Sequence, residues 1–237
     1  MPHLPLPEMD FLVPRRFTVA EYHRLIEVGV LDEDEHVELR EGIIAEKRPS
    51  GEEPWRVVPR RFTPKEYHQL IRVGVLDEDE PVELLEGVIA EMTPMGKPHA
   101  RLVSRLNRVL TRTLGDAYSV RPQLPLCLGT SEPEPDLAVV TVADEERARV
   151  HPRTALLVVE VADDSIRRDR QTKSRIYARA RIPEYWLVDV ARKGVEVYTE
   201  PDARKGHYRA QREVRAGEEL RSSSLPGVAL SVADLFT

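Results

Sequence analysis

Apolar residues recur along the chain with two different periods, and the alternation of these periods outlines its elements. In residues 98–114 (PHARLVSRLNRVLTRTL), Leu102, Leu106, Val109 and Leu110 fall on one helical stripe, while Arg101, Arg105, Arg108 and Arg112 fall on another. Short apolar runs at 118–128, 136–142 and 155–162 read as strands, the last so continuously apolar that it predicts a central strand covered on both faces. A helix is expected over about 165–180, started by a polar turn in which Asp163, Asp164 or Ser165 can cap it. Further strands are expected near 184–190, 194–199 and 207–213, with Tyr185 and Trp186 as core. A helix, three strands, a second helix and more strands predict an α/β protein with a mixed sheet flanked by helices, not a bundle or an all-β sandwich.

The first third of the chain repeats itself. Residues 14–49 recur as 59–94 at an offset of 45, with 27 of 36 positions identical. Each copy reads as a short helix capped by Thr18 or Thr63, followed by two strands around a Glu-Gly turn. Between the copies, 50–58 (SGEEPWRVV) reads as a linker. Solenoid repeats need about three copies to bury a continuous core, so two copies point instead to a tandem duplication. The second copy is continuous with the rest of the chain. The expected division is therefore an N-terminal extension, 1–58, carrying the duplicate helix-plus-hairpin, and a domain over 59–237. The extra copy packs on the surface, swaps with a neighbour or stays loosely ordered, and a passive leftover is the simplest of these readings.

Charge sharpens the division. The net charge is −6, and residues 1–58 carry 13 acids against 7 bases, so the whole acidic excess lies in the extension. Within the neutral remainder, 99–128 holds five arginines against Asp116, and 166–181 holds seven basic residues against Asp169. Such local stretches attract phosphate even where the global charge does not. Cys127 is the only cysteine, which excludes an internal disulfide and a multi-cysteine zinc site and fits a reducing cytoplasm. No apolar run approaches the roughly 20 residues that span a bilayer, and the N-terminus does not read as a signal peptide, so a cytoplasmic protein without membrane contact is expected.

Two acids sit where acids are expensive. Asp136 opens one apolar strand, and Glu160 lies near the end of another. If the 143–154 connection makes these antiparallel neighbours, both carboxylates share one corner of the sheet. Buried like charges need a positive partner. A divalent cation bound through oxygen suits this arrangement, Mg²⁺ foremost, with Mn²⁺ able to take its place. On the following helix Asp169, Lys173 and Tyr177 are spaced i, i+4, i+8 and share a face. The Lys173 ammonium could return to the carboxylates, orient or activate a water, and offset transition-state charge.

The string from Glu134-Pro135-Asp136 through Val159-Glu160-Val161 to Asp169, Lys173, Tyr177 and Ile182–Asp189 resembles the Uma-type restriction endonuclease family of the PD-(D/E)XK superfamily. The likeness extends upstream through RFTPKEYHQLI and VELLEGVIAEM to the His99 region, covering about 60–237. It implies a restriction-endonuclease-like fold, a divalent metal and a nucleic-acid substrate. In the superfamily the lysine usually stands two residues after the glutamate, but position 162 here is alanine; the resemblance places the lysine at Lys173 instead.

Other residues keep two readings open. Glu83 is a further metal ligand or a solvated hairpin acid, and Asp163 and Asp164 are ligands or helix caps. His99 contacts phosphate or the metal's water, or is a plain surface histidine. Arg101 and Arg105, with the rest of their stripe, position phosphates or form a solvated helix face. Gln123 is a weaker substrate contact, and Tyr177 is a packing residue with a polar tip that could also meet substrate. No glycine-rich phosphate loop, zinc spacing or nucleophile elbow is visible, and no small-molecule cofactor is expected. The leading expectation is a Mg²⁺-dependent DNA endonuclease, acting as a homodimer to cut both strands. The rivals are a binding module of the same fold without turnover, and a partner-binding protein acting through the acidic N-terminal copy.

Overall fold

In each copy of the repeat a threonine starts a helix, and for the same reason. Thr18 and Thr63 accept from the backbone N–H three residues on, while Glu21 and Glu66 reach back to the cap N–H. This reciprocal box satisfies two of the donors that a helix start leaves open. The computed structural model describes residues 12–47, 57–163 and 166–237. The predicted linker at 50–58 lies outside them except for Val57 and Val58, as do Asp164 and Ser165 of the predicted cap.

The chain forms two units, Met1–Met92 and Thr93–Thr237. The first holds both copies. In the first copy, α1 (Val19–Glu27) precedes a hairpin of β1 (Val37–Arg40) and β2 (Ile43–Glu46). In the second, α2 (Pro64–Arg72) precedes β3 (Val82–Leu85) and β4 (Val88–Glu91). Both hairpins turn on a two-residue Glu-Gly loop with positive φ at both positions, 50° and 82° in one, 49° and 86° in the other. That is the tight turn whose twist matches the strands. At Gly87 an added Cβ would lie 2.9 Å from Arg61 Cβ, so glycine is required there for space as well as for φ. Phe17, Leu25 and Leu31 pack with Phe62, Leu70 and Leu76 in one shared core.

The second unit is built on a six-stranded sheet of β5 (Tyr118–Pro122), β6 (Leu137–Thr141), β7 (Leu157–Ala162), β8 (Glu184–Asp189), β9 (Gly194–Asp202) and β10 (His207–Arg215), in the order β10-β9-β8-β7-β6-β5. Only β7 and β8 run parallel, and the helical segment 166–179 joins them. The sheet is therefore mixed, as expected, and β7 is buried along its whole length. The long helix α3 (Lys97–Thr113) lays Leu102, Val103, Leu106 and Leu110 against Leu137, Val139, Val159 and Trp186.

Three expectations need correction. The strand expected over 118–128 ends at Pro122, because Gln123 adopts a left-handed backbone (φ 49°) and breaks the ladder. The strand expected over 136–142 spans Leu137–Thr141, because Thr141 caps a short helix, α4 (Val142–Arg147), at the start of the connection. The helix expected over 165–180 is not uniform: α5 (Ile166–Arg168) and α6 (Ser174–Arg179) flank a π-helical turn, Asp169–Lys173. A small hairpin, β11 (Glu219–Arg221) with β12 (Ala229–Ser231), and a last helix, α7 (Val232–Leu235), complete the unit. Among the described residues no helix is long and apolar enough to cross a membrane.

Candidate active site

The register of β6 and β7 sets the first two residues. Leu137 faces Val159, Ala138 faces Val158 and Val139 faces Leu157 in an antiparallel ladder. One further step puts Asp136 opposite Glu160, at the corner where one strand starts and the other ends. Both side chains are buried, at 8% and 3% exposure. The chain then leaves β7 and returns as the helical segment that carries Lys173. The Lys173 ammonium lies 3.0 Å from Glu160 Oε1, and the Tyr177 hydroxyl donates to the same oxygen at 2.5 Å.

The π turn has a tertiary cause in this geometry. The Asp169 carbonyl accepts the Ser174 N–H, five residues on, and also the hydroxyl of Tyr185 at 3.2 Å. A side chain inserted at a helix carbonyl is a recognised reason for such a widened turn. Asp169, Lys173 and Tyr177 are all buried, so the face drawn from their spacing survives, although the turn beneath it is wider than an α-helix.

Asp136 is held by two donors on one oxygen. Its Oδ2 accepts the Val161 N–H at 2.7 Å and lies 3.0 Å from His99 Nε2, in the first turn of α3. Burial disfavours the charged imidazole most. The hydrogen bond to Asp136 and the nearby carboxylates of Asp136, Asp169 and Asp163 outweigh it and hold His99 above its ordinary pKa. The plain-surface reading of His99 is thus not what the fold does with it, since the ring is 9% exposed. The corner pairs Asp136 with the His99 imidazole and Glu160 with the Lys173 ammonium.

The remaining candidates divide. Arg101 and Arg105 line a groove of about 540 Å³ between α3 and the C-terminal residues, together with Arg108, Lys193 and Phe236. This groove starts at Pro98, next to His99 in sequence. Arg105 is also engaged structurally, donating to the Asp234 carbonyl and, at 3.0 Å, to the Thr237 hydroxyl. Gln123 sits just past β5; its N–H bonds the Asp136 carbonyl at 3.2 Å, while its side chain lies 2.7 Å from the Met95 sulfur. Glu83 belongs to the first unit, where it is 1% exposed on β3 opposite Ala90. Its counterpart Glu38 is exposed and lies 3.9 Å from Arg40, so the two copies treat this acid differently. Asp163 is exposed, and Asp164 lies outside the described residues.

Sequence reasoning missed Lys193, which lies in the turn between β8 and β9 and reaches the groove only through the sheet's topology. It read Tyr177 as a packing residue whose polar tip could meet substrate, and did not name Glu160 as its partner. The signal for its bond to Glu160 was its place one turn beyond Lys173.

The donor set fits a hard divalent cation. It offers carboxylate oxygens and no sulfur, and Asp136 Oδ1 makes no hydrogen bond among the described residues.

The family model described as "Putative restriction endonuclease" (Uma2) matches residues 64–233. Among solved structures, a putative nuclease from Anabaena variabilis is similar at 20% identity with a TM-score of 0.60, covering 74% of this chain and 97% of that one. That likeness shows a common fold. No curated protein matches the chain. With the family model covering well over half of its length, this chain belongs to the Uma2 family.

Proposed function

We propose that the protein is a metal-dependent endonuclease that hydrolyses phosphodiester bonds in DNA. Membership in a family of putative restriction endonucleases supports an enzyme acting on nucleic acid. The observation that carries the finer reading is the buried pair of carboxylates at one sheet corner, Asp136 beside the His99 imidazole and Glu160 beside the Lys173 ammonium. Asp136 and Glu160 would hold Mg²⁺ there, with Mn²⁺ able to replace it. When bound, such an ion polarises a phosphate and lowers the pKa of water. Lys173 orients or helps to activate the attacking water and offsets charge on the phosphoryl group as bonds change. Tyr177 fixes the Glu160 carboxylate, and the Val161 N–H fixes that of Asp136. His99 hydrogen-bonds Asp136 and can contact substrate phosphate.

The groove supplies a path for the nucleic-acid backbone. Arg101, Arg108 and Lys193 line it, along the helix whose first turn carries His99, and cations along a groove hold phosphates without reading sequence. A single site cuts one strand, so cleavage of both strands of a duplex calls for two chains. The test is incubation of supercoiled plasmid with Mg²⁺, Mn²⁺ or EDTA beside an Asp136→Ala, Glu160→Ala variant. Metal-dependent nicking absent from the variant supports the reading. Equal activity in both proteins refutes the site, and no cleavage of any nucleic acid, with metal binding demonstrated, favours a binding module of the same fold.

A further inference from the structure

The two copies in the first unit do not merely sit in sequence; each completes the other. The segment before α1 pairs with the second copy's hairpin: Pro14 bridges Ala90, Arg15 N–H bonds the Ile89 carbonyl at 2.9 Å, and Glu91 N–H bonds the Val13 carbonyl at 2.8 Å. The segment before α2 does the same to the first copy's hairpin. Pro59 bridges Ala45, Arg60 N–H bonds the Ile44 carbonyl at 2.8 Å, and Glu46 N–H bonds the Val58 carbonyl at 2.9 Å. Every pair in one set maps onto the other by adding or subtracting 45.

Side chains obey the same exchange. Arg15 bonds Glu21 of its own copy at 2.7 Å and Glu80 of the other at 2.8 Å. Arg60 bonds Glu66 of its own copy at 2.7 Å and Glu35 of the other at 2.8 Å. Each guanidinium lies over a phenylalanine ring, 4.6 Å from Phe17 and 4.7 Å from Phe62. Those two rings stack on each other with centroids 6.0 Å apart. Contacts in which i meets j and the equivalent of j meets the equivalent of i define an isologous interface, the arrangement of a two-fold dimer.

We infer that residues 13–92 are a self-pairing module whose partner is a second copy of the same segment, here supplied within the chain. The face by which two single-copy chains would join is thereby occupied, so this protein does not dimerise through it. The acidic first copy is then a covering subunit, neither a passive leftover nor a surface for an unrelated protein. The duplicate keeps the residues that an isologous contact requires: the Arg, Phe and Glu of each set are identical in both copies. All of these contacts lie within the first unit, so the self-pairing stands whether or not the carboxylate corner is a nuclease site.

The test uses the full chain. Arg15→Glu, Phe17→Asp and Glu35→Arg together disable the first copy and leave the second intact, with Arg60 and Glu80 ready to pair with those of another molecule. Light scattering should then report a concentration-dependent doubling of mass relative to the wild type, and adding Glu80→Arg should abolish it. A triple variant whose mass matches the wild type at every concentration overturns the self-pairing. A second measurement guards against simple loss of the first copy's fold. With a protease site placed in 50–53, the cut wild-type chain should keep its N-terminal fragment on size exclusion; release of the fragment on cutting overturns the inference.

Discussion

Replacing Lys173 by methionine tests the site's internal electrostatics without reference to turnover. The ammonium lies 3.0 Å from Glu160 Oε1, with side-chain exposures of 4% and 5%. At this burial, removing one partner strands a charge, which costs about 3–5 kcal/mol when nothing compensates. Tyr177 still donates to the carboxylate, and a hydrogen bond to a charged group is worth about 1.5–3 kcal/mol, so the loss should fall near the lower end, about 3 kcal/mol. For a chain of this size each kcal/mol moves the melting temperature by about 2–4 °C, giving a fall of about 6–12 °C. Thermal and urea unfolding in EDTA measure both quantities. Adding Glu160→Gln to Lys173→Met should recover most of the loss, because the uncompensated charge is gone. A loss below about 1 kcal/mol, the range of solvent-exposed pairs, would refute the description of this pair as buried and mutually dependent.

Glu184 gives a pH prediction. Burial opposes its charge, but Ser222, Ser224 and Trp186 donate to it and hold its pKa below the ordinary 4.5. A depressed carboxylate stabilises fully above its unfolded pKa and loses that contribution as pH falls through the folded value. The stability gap between wild type and Glu184→Gln, followed by urea unfolding, should be constant near neutrality and shrink below about pH 4.5. In the groove, Arg108→Gln with Lys193→Gln should weaken duplex binding evenly across sequences and reduce the log–log salt slope by about 2, read by fluorescence anisotropy. Leu106→Ala, at a fully buried position between α3 and the sheet, should cost about 3 kcal/mol in urea unfolding and leave the groove's cations in place.

The carboxylate corner was legible in the sequence because it rests on a short-range rule. An acid at the start of one apolar strand and another near the end of the next meet whenever the strands are antiparallel neighbours, and β6 and β7 are. Helix spacing allowed Lys173 to return to the carboxylates, and the family resemblance singled it out. The π turn beneath it did not, since a hydroxyl from Tyr185, on β8, enters the Asp169 carbonyl across the fold. His99 stayed ambiguous for the same reason: 37 residues separate it from Asp136, and only the path of α3 brings them to 3.0 Å. The repeat itself was plain, but its exchange of strands was not. Pro14 meeting Ala90 and Pro59 meeting Ala45 is a statement about which hairpin each segment joins, and copies identical at 27 of 36 positions do not distinguish own copy from other copy.

The nuclease reading turns on Asp136 and Glu160 together holding one divalent cation. Calorimetric titration of the purified chain with Mn²⁺ puts this to the test, beside Asp136→Asn and Glu160→Gln, each checked for native unfolding behaviour. One ion per chain is expected, with affinity lowered by about tenfold or more in either variant, at least about 1.4 kcal/mol per lost carboxylate charge. Affinity unchanged in both variants, or no binding to the wild type, would refute the shared site.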